Sequence, residues 1–259
     1  MPPPLDLGHY TVGFVRLAAK AELLGSGTLI DAGSVKGILT AAHVLQVILR
    51  EREIGLLEFP VRMEQSQRLR VEIRYLDHVH MGDGPFGEEG PDLAFLRIPI
   101  TLAEALAANS SFANFEKQAA SAFAPAPLEA SESIDAVLGT IGEWKEPVRD
   151  VANLRVTTLS GLHNVGVVTE IEALHGFDRY QFDPLPENGF RLPVSYGGTS
   201  GGGLWRAYTN NEKHLKQLRL LGVAYFQTGG IDRKIICHGP KSVYQALRAQ
   251  MYEKWPREL

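Results

Sequence analysis

A chain of 259 residues, 44% apolar and 22% charged, has the composition of a globular protein and enough length for one large domain or two small ones. A net charge of −4 gives no electrostatic case for binding nucleic acid or an anionic membrane, and no apolar run approaches the ~20 residues that span a bilayer. One cysteine, Cys237, excludes an internal disulfide.

In chain order, residues 11–17 (Thr-Val-Gly-Phe-Val-Arg-Leu) predict a first strand that starts almost at once. Residues 25–30 and 35–40 predict two strands joined by a tight turn at Asp31-Ala32-Gly33-Ser34. His43 follows the second of them at a step of small residues, and residues 44–52 predict a short helix. Residues 70–75 alternate as a strand does, and residues 93–98 form another strand directly after Asp92. From 101 to 130 the composition shifts to Ala, Ser, Asn and Pro, which reads as a connection between two halves. Residues 134–141, 162–171 and 218–226 predict strands of the second half. Val243, Leu247 and Met251 line one face of a helix within 240–255. No internal repeat or low-complexity tract interrupts the pattern.

Three segments carry chemistry: Thr40-Ala41-Ala42-His43-Val44, Pro91-Asp92-Leu93-Ala94-Phe95-Leu96, and Gly197-Gly198-Thr199-Ser200-Gly201-Gly202-Gly203. A serine hydroxyl is a poor nucleophile at neutral pH. It needs an imidazole to take its proton, and the imidazole needs a carboxylate to hold its tautomer and stabilise its charge. His43, Asp92 and Ser200 are the residues for those three roles. The glycines around Ser200 let the chain turn sharply and aim backbone N–H groups at one point, as an oxyanion hole requires. Gly198 and Ser200 are the expected donors. Taken singly, His43 reads equally as a core histidine, Asp92 as a turn residue after Gly90-Pro91, and Ser200 as an incidental hydroxyl in a flexible turn.

Together, and in this order, the segments resemble the trypsin/chymotrypsin-like serine peptidases. Their marks are Thr-Ala-Ala-His, an Asp-Leu-Ala-type segment and Gly-x-Ser-Gly-Gly. The spacings, 49 residues from His43 to Asp92 (92 − 43) and 108 from Asp92 to Ser200 (200 − 92), suit one barrel holding His and Asp and a second holding Ser. The resemblance runs from about Tyr10 to the C-terminal helix. It implies an all-β fold of two six-stranded antiparallel barrels (about 8–105 and 134–239) with the site between them and a helix at 240–255. It also implies an endopeptidase working on protein or peptide substrates, without a metal or other cofactor. The sequence departs from the family in two places. Thr199 stands where many animal members carry an aspartate that pairs with a new N-terminus after zymogen cleavage. By the family's register the base of the specificity pocket falls on Val194, which offers no anion to Lys or Arg; cleavage after those residues would need an acid elsewhere, such as Asp183 or Asp232, to reach the pocket. Tyr225 and Phe226 read as core residues, and their place on the strand makes one of them a candidate pocket wall.

Weaker features complete the reading. His78 and His80, with Asp77, Asp83, Glu88 and Glu89, have the residue types of a metal site, but the stretch reads better as a solvated loop. Glu143, Glu146 and Asp150 read as another. Cys237 lacks a glycine-rich elbow and reads as a small buried hydrophobe. Secreted members of the family are typically disulfide-stapled. The lone cysteine, with a start that lacks the basic and apolar regions of a signal peptide, points to a cytoplasmic protein. With the first strand so early there is little room for a pro-segment. Direct folding to a competent site is expected, with control by a regulatory protein partner or by narrow specificity. Two alternatives use the same fold: a catalytically idle peptide-binding module, and an esterase.

Overall fold

The alternation in the sequence becomes two antiparallel sheets. The computed structural model describes residues 7–17, 22–59, 68–82, 87–145, 149–151, 154–156, 159–186, 192–230, 232–256 and 258. In the first half, strands β1 (Thr11–Arg16), β2 (Glu22–Ala32) and β3 (Val35–Thr40) lead into helix α1 (Ala42–Ile48). Strands β4 (Glu53–Glu58), β5 (Arg68–Glu72), β6 (Asp77–Met81) and β7 (Leu93–Arg97) follow. They lie in the order β5-β4-β1-β2-β3-β7-β6. The predicted turn between β2 and β3 forms as read: Gly33 takes φ +78° and donates its N–H to Asp31 Oδ1 at 3.0 Å.

This first sheet is a curled half-barrel. Its two edge strands, β5 and β6, are consecutive in the chain and separated by a 3-10 turn at Ile73–Tyr75. The turn ends the strand predicted over 70–75 at Glu72 and sends the chain from one edge of the sheet to the other. The covalent path therefore closes what ladder hydrogen bonds leave open. His78 and His80 lie on β6 rather than in the predicted solvated loop.

The connection is more ordered than its composition suggested. It holds helix α2 (Ile100–Ala107), the short strand β8 (Ala113–Asn114) paired in parallel with β2, and helix α3 (Phe115–Ala122). Asn114 caps α3, its side chain accepting from the Lys117 N–H at 2.8 Å.

The second half contains β9 (Glu132–Lys145), β10 (Arg149–Val151), β11 (Leu154–Val156), β12 (Leu159–Leu174), β13 (Phe177–Pro184), β14 (Gly203–Thr209), β15 (Leu215–Gln227) and β16 (Ile235–His238). Six of these strands close in the order β12-β13-β16-β15-β14-β9. The fold is thus the expected all-β, two-barrel class, with one barrel closed. Glu143 lies on β9 and Asp150 on β10, not in a loop; Glu146 and Asp83 lie outside the described residues.

After β16 a π-helical stretch (Ser242–Leu247) runs into α4 (Arg248–Lys254), and Val243, Leu247 and Met251 are all buried, as their spacing predicts. One apolar cluster draws from both halves, joining Ile30, Leu39 and Phe95 to Trp205, Val223 and Met251. Each such side chain adds about 1.5–3 kcal/mol on burial, so the core that holds the halves together also fixes the cleft between them.

Candidate active site

His43 and Asp92 leave the same end of one strand pair. In the β3–β7 ladder, Thr40 lies opposite Ala94 and Leu39 opposite Phe95. The chain beyond Thr40 and the chain before Leu93 therefore emerge side by side. Ala41 and Ala42 are fully buried, and their small side chains let α1 start against the sheet with His43 in its first turn. Asp92 is 1% exposed and spends both carboxylate oxygens on one partner: His43 Nδ1 stands 2.5 Å from Oδ2, and the His43 backbone N–H donates to Oδ1 at 2.9 Å. An ionised carboxylate only accepts, so Nδ1 carries the hydrogen, which leaves Nε2 as the basic nitrogen of the neutral ring. The Asp92 backbone N–H in turn donates to His238 Nε2 at 2.9 Å.

Ser200 sits in a turn between β13 and β14 that is tied to the first sheet. The Ser26 N–H donates to the Ser200 carbonyl at 2.8 Å. A β-carbon placed on Gly25 would stand 2.6 Å from a Val44 methyl and 3.3 Å from that same carbonyl. Gly25 thus lies between the serine turn and Val44, the helix residue next to His43, and the turn approaches that helix closely. The Ser200 Oγ donates to the Tyr225 carbonyl over a long 3.4 Å.

The carbonyls from Gly197 to Ser200 are held. Gly142 N–H donates to Gly197 O at 2.9 Å, and Gly202 N–H to Thr199 O at 2.8 Å. The Gly198 carbonyl accepts from Ser26 Oγ at 2.7 Å and from Thr140 Oγ1 at 3.1 Å. Each peptide is planar and trans, so anchoring the Gly197 and Thr199 carbonyls turns the N–H groups of Gly198 and Ser200 the other way. Neither N–H donates to any group among the described residues. Gly201 must be glycine: it has φ +88°, and a β-carbon there would lie 1.9 Å from the Ser26 carbonyl oxygen. Thr199 is 2% exposed and packs against Gly139 of β9.

A cavity of about 70 Å³ opens beside Ser200, lined by Tyr196, Thr199, Ala224, Phe226, Gln227 and Ile235 among others. Tyr225 also borders it, beside Phe226 on β15. The Tyr225 ring, however, turns inward, stacking on His238 with centroids 4.2 Å apart, and its hydroxyl donates to the Glu88 carbonyl at 2.6 Å. Val194, the pocket base expected from the family register, lies apart from this cavity. It is 54% exposed and lines a separate cavity of about 610 Å³ with Asp183, Asp232 and Lys234. Tyr196 stands between the two cavities, which keeps Val194 and both acids away from the space next to Ser200.

The remaining sequence features fall away from this cleft. The His78 and His80 rings lie 5.7 Å apart, and Asp77 is held by Lys254 and by Trp255 Nε1. Among the described residues no three His, Cys, Asp or Glu side chains group as metal ligands. Cys237 is fully buried on β16, where desolvation pushes its thiol pKa up.

No protein-family model matches this chain, and no curated protein does. Among solved structures it is similar to the MamO protease domain from Magnetospirillum magneticum in its apo form, at 13% identity and a TM-score of 0.43 over 93% of this chain and 97% of that one. It is also similar, at 14% identity and a TM-score of 0.48 over 92% and 90% of the two chains, to a structure described by the aromatic interactions that drive coupled folding and binding of the intrinsically disordered Sesbania mosaic virus VPg protein.

Three residues at the site were not singled out from the sequence. Ser26 and Thr140 lie in ordinary strand patterns, where a hydroxyl facing inward gives no signal until its partner is known. His238 ends an apolar run, Ile-Ile-Cys-His, and reads as one more strand residue. Its only sequence signal is a titratable side chain at a position whose neighbours are buried.

Proposed function

We propose that this chain is a serine endopeptidase that cleaves protein or peptide substrates through His43, Asp92 and Ser200. The observation that carries the reading is the double contact of the buried Asp92 carboxylate with His43, with the Ser200 turn fixed one glycine away. In this mechanism Ser200 Oγ gives up its long contact with the Tyr225 carbonyl by a rotation about χ1 and attacks the scissile carbonyl. His43 Nε2 takes the hydroxyl proton and later delivers it to the leaving amine. Asp92 holds the Nδ1–H tautomer and offsets the imidazolium charge. The N–H groups of Gly198 and Ser200 receive the oxyanion. Water then attacks the acyl-enzyme by the same base.

The small cavity beside Ser200 supports a preference for a small apolar residue before the scissile bond. Gln227 accepts from the Tyr196 N–H at 2.7 Å and so is pinned at the cavity wall, with Ile235 also lining the space. Among the described residues no acid lies in the lining to meet a lysine or arginine, and burying an unpaired cation costs several kcal/mol. The side-chain bonds on the Gly198 carbonyl favour a formed oxyanion turn without N-terminal processing. A protein partner that regulated this loop would have to break them. The lone buried Cys237 fits a reducing compartment such as the cytoplasm.

The idle peptide-binding module is favoured by one observation, the Ser200 hydroxyl resting on the Tyr225 carbonyl. Treatment of the purified chain with a fluorophosphonate decides between them. Covalent labelling of Ser200, lost in Ser200→Ala, is the expected result; an unlabelled Ser200 in folded protein overturns the peptidase reading. Comparing turnover of matched amide and ester substrates separates a peptidase from an esterase.

A further inference from the structure

The segment that carries Asp92 is gripped from the other half of the molecule. His238 ends β16, paired with Arg179 of β13 on one side and Val223 of β15 on the other. It is 0% exposed. Its ring is stacked face to face on Tyr225, and Phe177 packs against its edge at 5.8 Å. The Nε2 lone pair receives the Asp92 backbone N–H. Beside it, the Tyr225 hydroxyl and the Arg179 guanidinium both donate to the Glu88 carbonyl, at 2.6 and 3.0 Å. A β-carbon on Gly90, whose φ is +62°, would stand 3.1 Å from the His238 ring. The approach of segment 88–92 to the second barrel is thus close and built from three side chains.

We infer that His238 is a positioning residue: as a neutral acceptor for the Asp92 N–H, it sets the carboxylate against His43. The inference deepens the peptidase reading and rests on it for its catalytic consequence. Its geometric content, that His238 holds the Asp92–His43 pair, stands by itself.

The chemistry requires one protonation state. Asp92 N–H needs an acceptor, so Nε2 must be bare and the ring hydrogen must sit on Nδ1, which has no hydrogen-bond partner among the described residues. A hydrogen on Nε2 would face the Asp92 N–H, donor against donor, and the contact would be lost. Burial keeps the ring neutral, lowering its pKa to about 4. The charged groups that face it are Asp92 and, on β13, Asp178 and Arg179. The two carboxylates favour the charged ring and the guanidinium opposes it. Tyr225 on β15 and Cys237 on β16 itself are held neutral by their own burial. The ring is therefore an acceptor at neutral pH, and its face-to-face stack holds Nε2 on the Asp92 side.

The test compares the full chain with His238→Gln, which keeps an acceptor near the Nε2 position, and His238→Phe, which keeps the ring and removes it. Each is made also in the Ser200→Ala background, so that the first readout needs no turnover. That readout is the low-field proton resonance of His43 Nδ1–H in its bond to Asp92. We expect it to persist in the wild type and in His238→Gln, and to disappear or exchange much faster with solvent in a folded His238→Phe. In the Ser200-containing proteins, His238→Phe should lower kcat by about 10²-fold with little change in KM, as a small misplacement does. Its acid limb of kcat/KM should move to lower pH, because a displaced Asp92 supports the His43 imidazolium less, and His238→Gln should restore both. A folded His238→Phe with an unchanged His43 resonance overturns the inference. Where that variant does not fold, the ¹⁵N shifts of wild-type His238 decide: bare Nε2 with Nδ1–H supports it, and Nε2–H overturns it. A normal resonance pattern in protein that no fluorophosphonate labels would fail the peptidase reading and leave the positioning of Asp92 intact.

Discussion

The two halves of the site are held by different means. His43 and Asp92 inherit their places from the β3–β7 ladder, where Thr40 faces Ala94, and need only two small residues and a carboxylate to meet. Ser200 belongs to a turn with no ladder of its own. Side chains and backbone donors of other elements hold it: Ser26 from β2, Thr140 and Gly142 from β9, Ala224 from β15. The Asp92–His43 pair is thus a product of local strand register, whereas the Ser200 turn is a product of the interface. Changes at His43, Asp92 or the Ser200 hydroxyl should alter chemistry with the fold intact, and changes at the groups that anchor the serine turn should alter both together.

The largest effect expected from breaking this comparison is on turnover. Asp92→Asn should cut kcat for amide hydrolysis by on the order of 10⁴, by leaving the wrong imidazole tautomer, and Ser200→Ala should abolish acylation. Thermal unfolding of both should stay near wild type; a large loss of stability in either would place the pair in the folding core instead. On the other side, Gly201→Ala forces a β-carbon onto the Ser26 carbonyl in a left-handed conformation. It should cost on the order of 3 kcal/mol in denaturant unfolding and remove activity as well.

His238 links the halves and supplies a pH test. Its folded-state pKa, about 4, lies below the ordinary 6.5, so the unfolded chain binds a proton that the folded chain refuses. Its contribution is fully present above about pH 6.5 and falls by about 1.4 kcal/mol per unit as pH drops toward about 4. Urea unfolding at a series of pH values should show this slope in wild type and a shallower one in His238→Gln; parallel slopes would mean that the ring titrates freely.

Smaller effects sharpen the contrast. Ser26→Ala leaves Thr140 as the remaining side-chain donor on the Gly198 carbonyl, and should cost about 1–2 kcal/mol. It should also slow fluorophosphonate labelling more than it raises KM. Gln227→Gly should enlarge the cavity beside Ser200 and shift cleavage-site profiles toward larger residues before the scissile bond, with little effect on stability. An unchanged profile would put the primary pocket elsewhere.

What was legible in the sequence follows the same division. The strands around His43 and Asp92 could be read because alternation and a Gly33 turn specify register locally. The Ser200 turn could be read from its glycines alone, but not the hydroxyls that anchor it, since they are remote in sequence. Val194, the pocket base that the family register gives, lines a different cavity from Ser200, because the length of chain between β13 and β14 sets which side chain faces which cavity, and no local pattern encodes that. Composition marks residues 101–130 as the connection between the halves but does not single out the helices within it, although alanine favours helix and α2 and α3 form there. His238 carried no pattern at all, being one polar residue on an apolar strand.

The lone thiol beside His238 also turns the second barrel into its own gauge. Cys237 is sealed inside β16, and burial keeps it a thiol rather than a reactive thiolate. A thiol reagent reaches it only when that strand opens, so its rate of modification counts opening events at the wall that grips the Asp92 segment. A substrate or inhibitor seated across both halves would slow that clock in proportion to how firmly it clamps them, and would be detected without a cleavage assay.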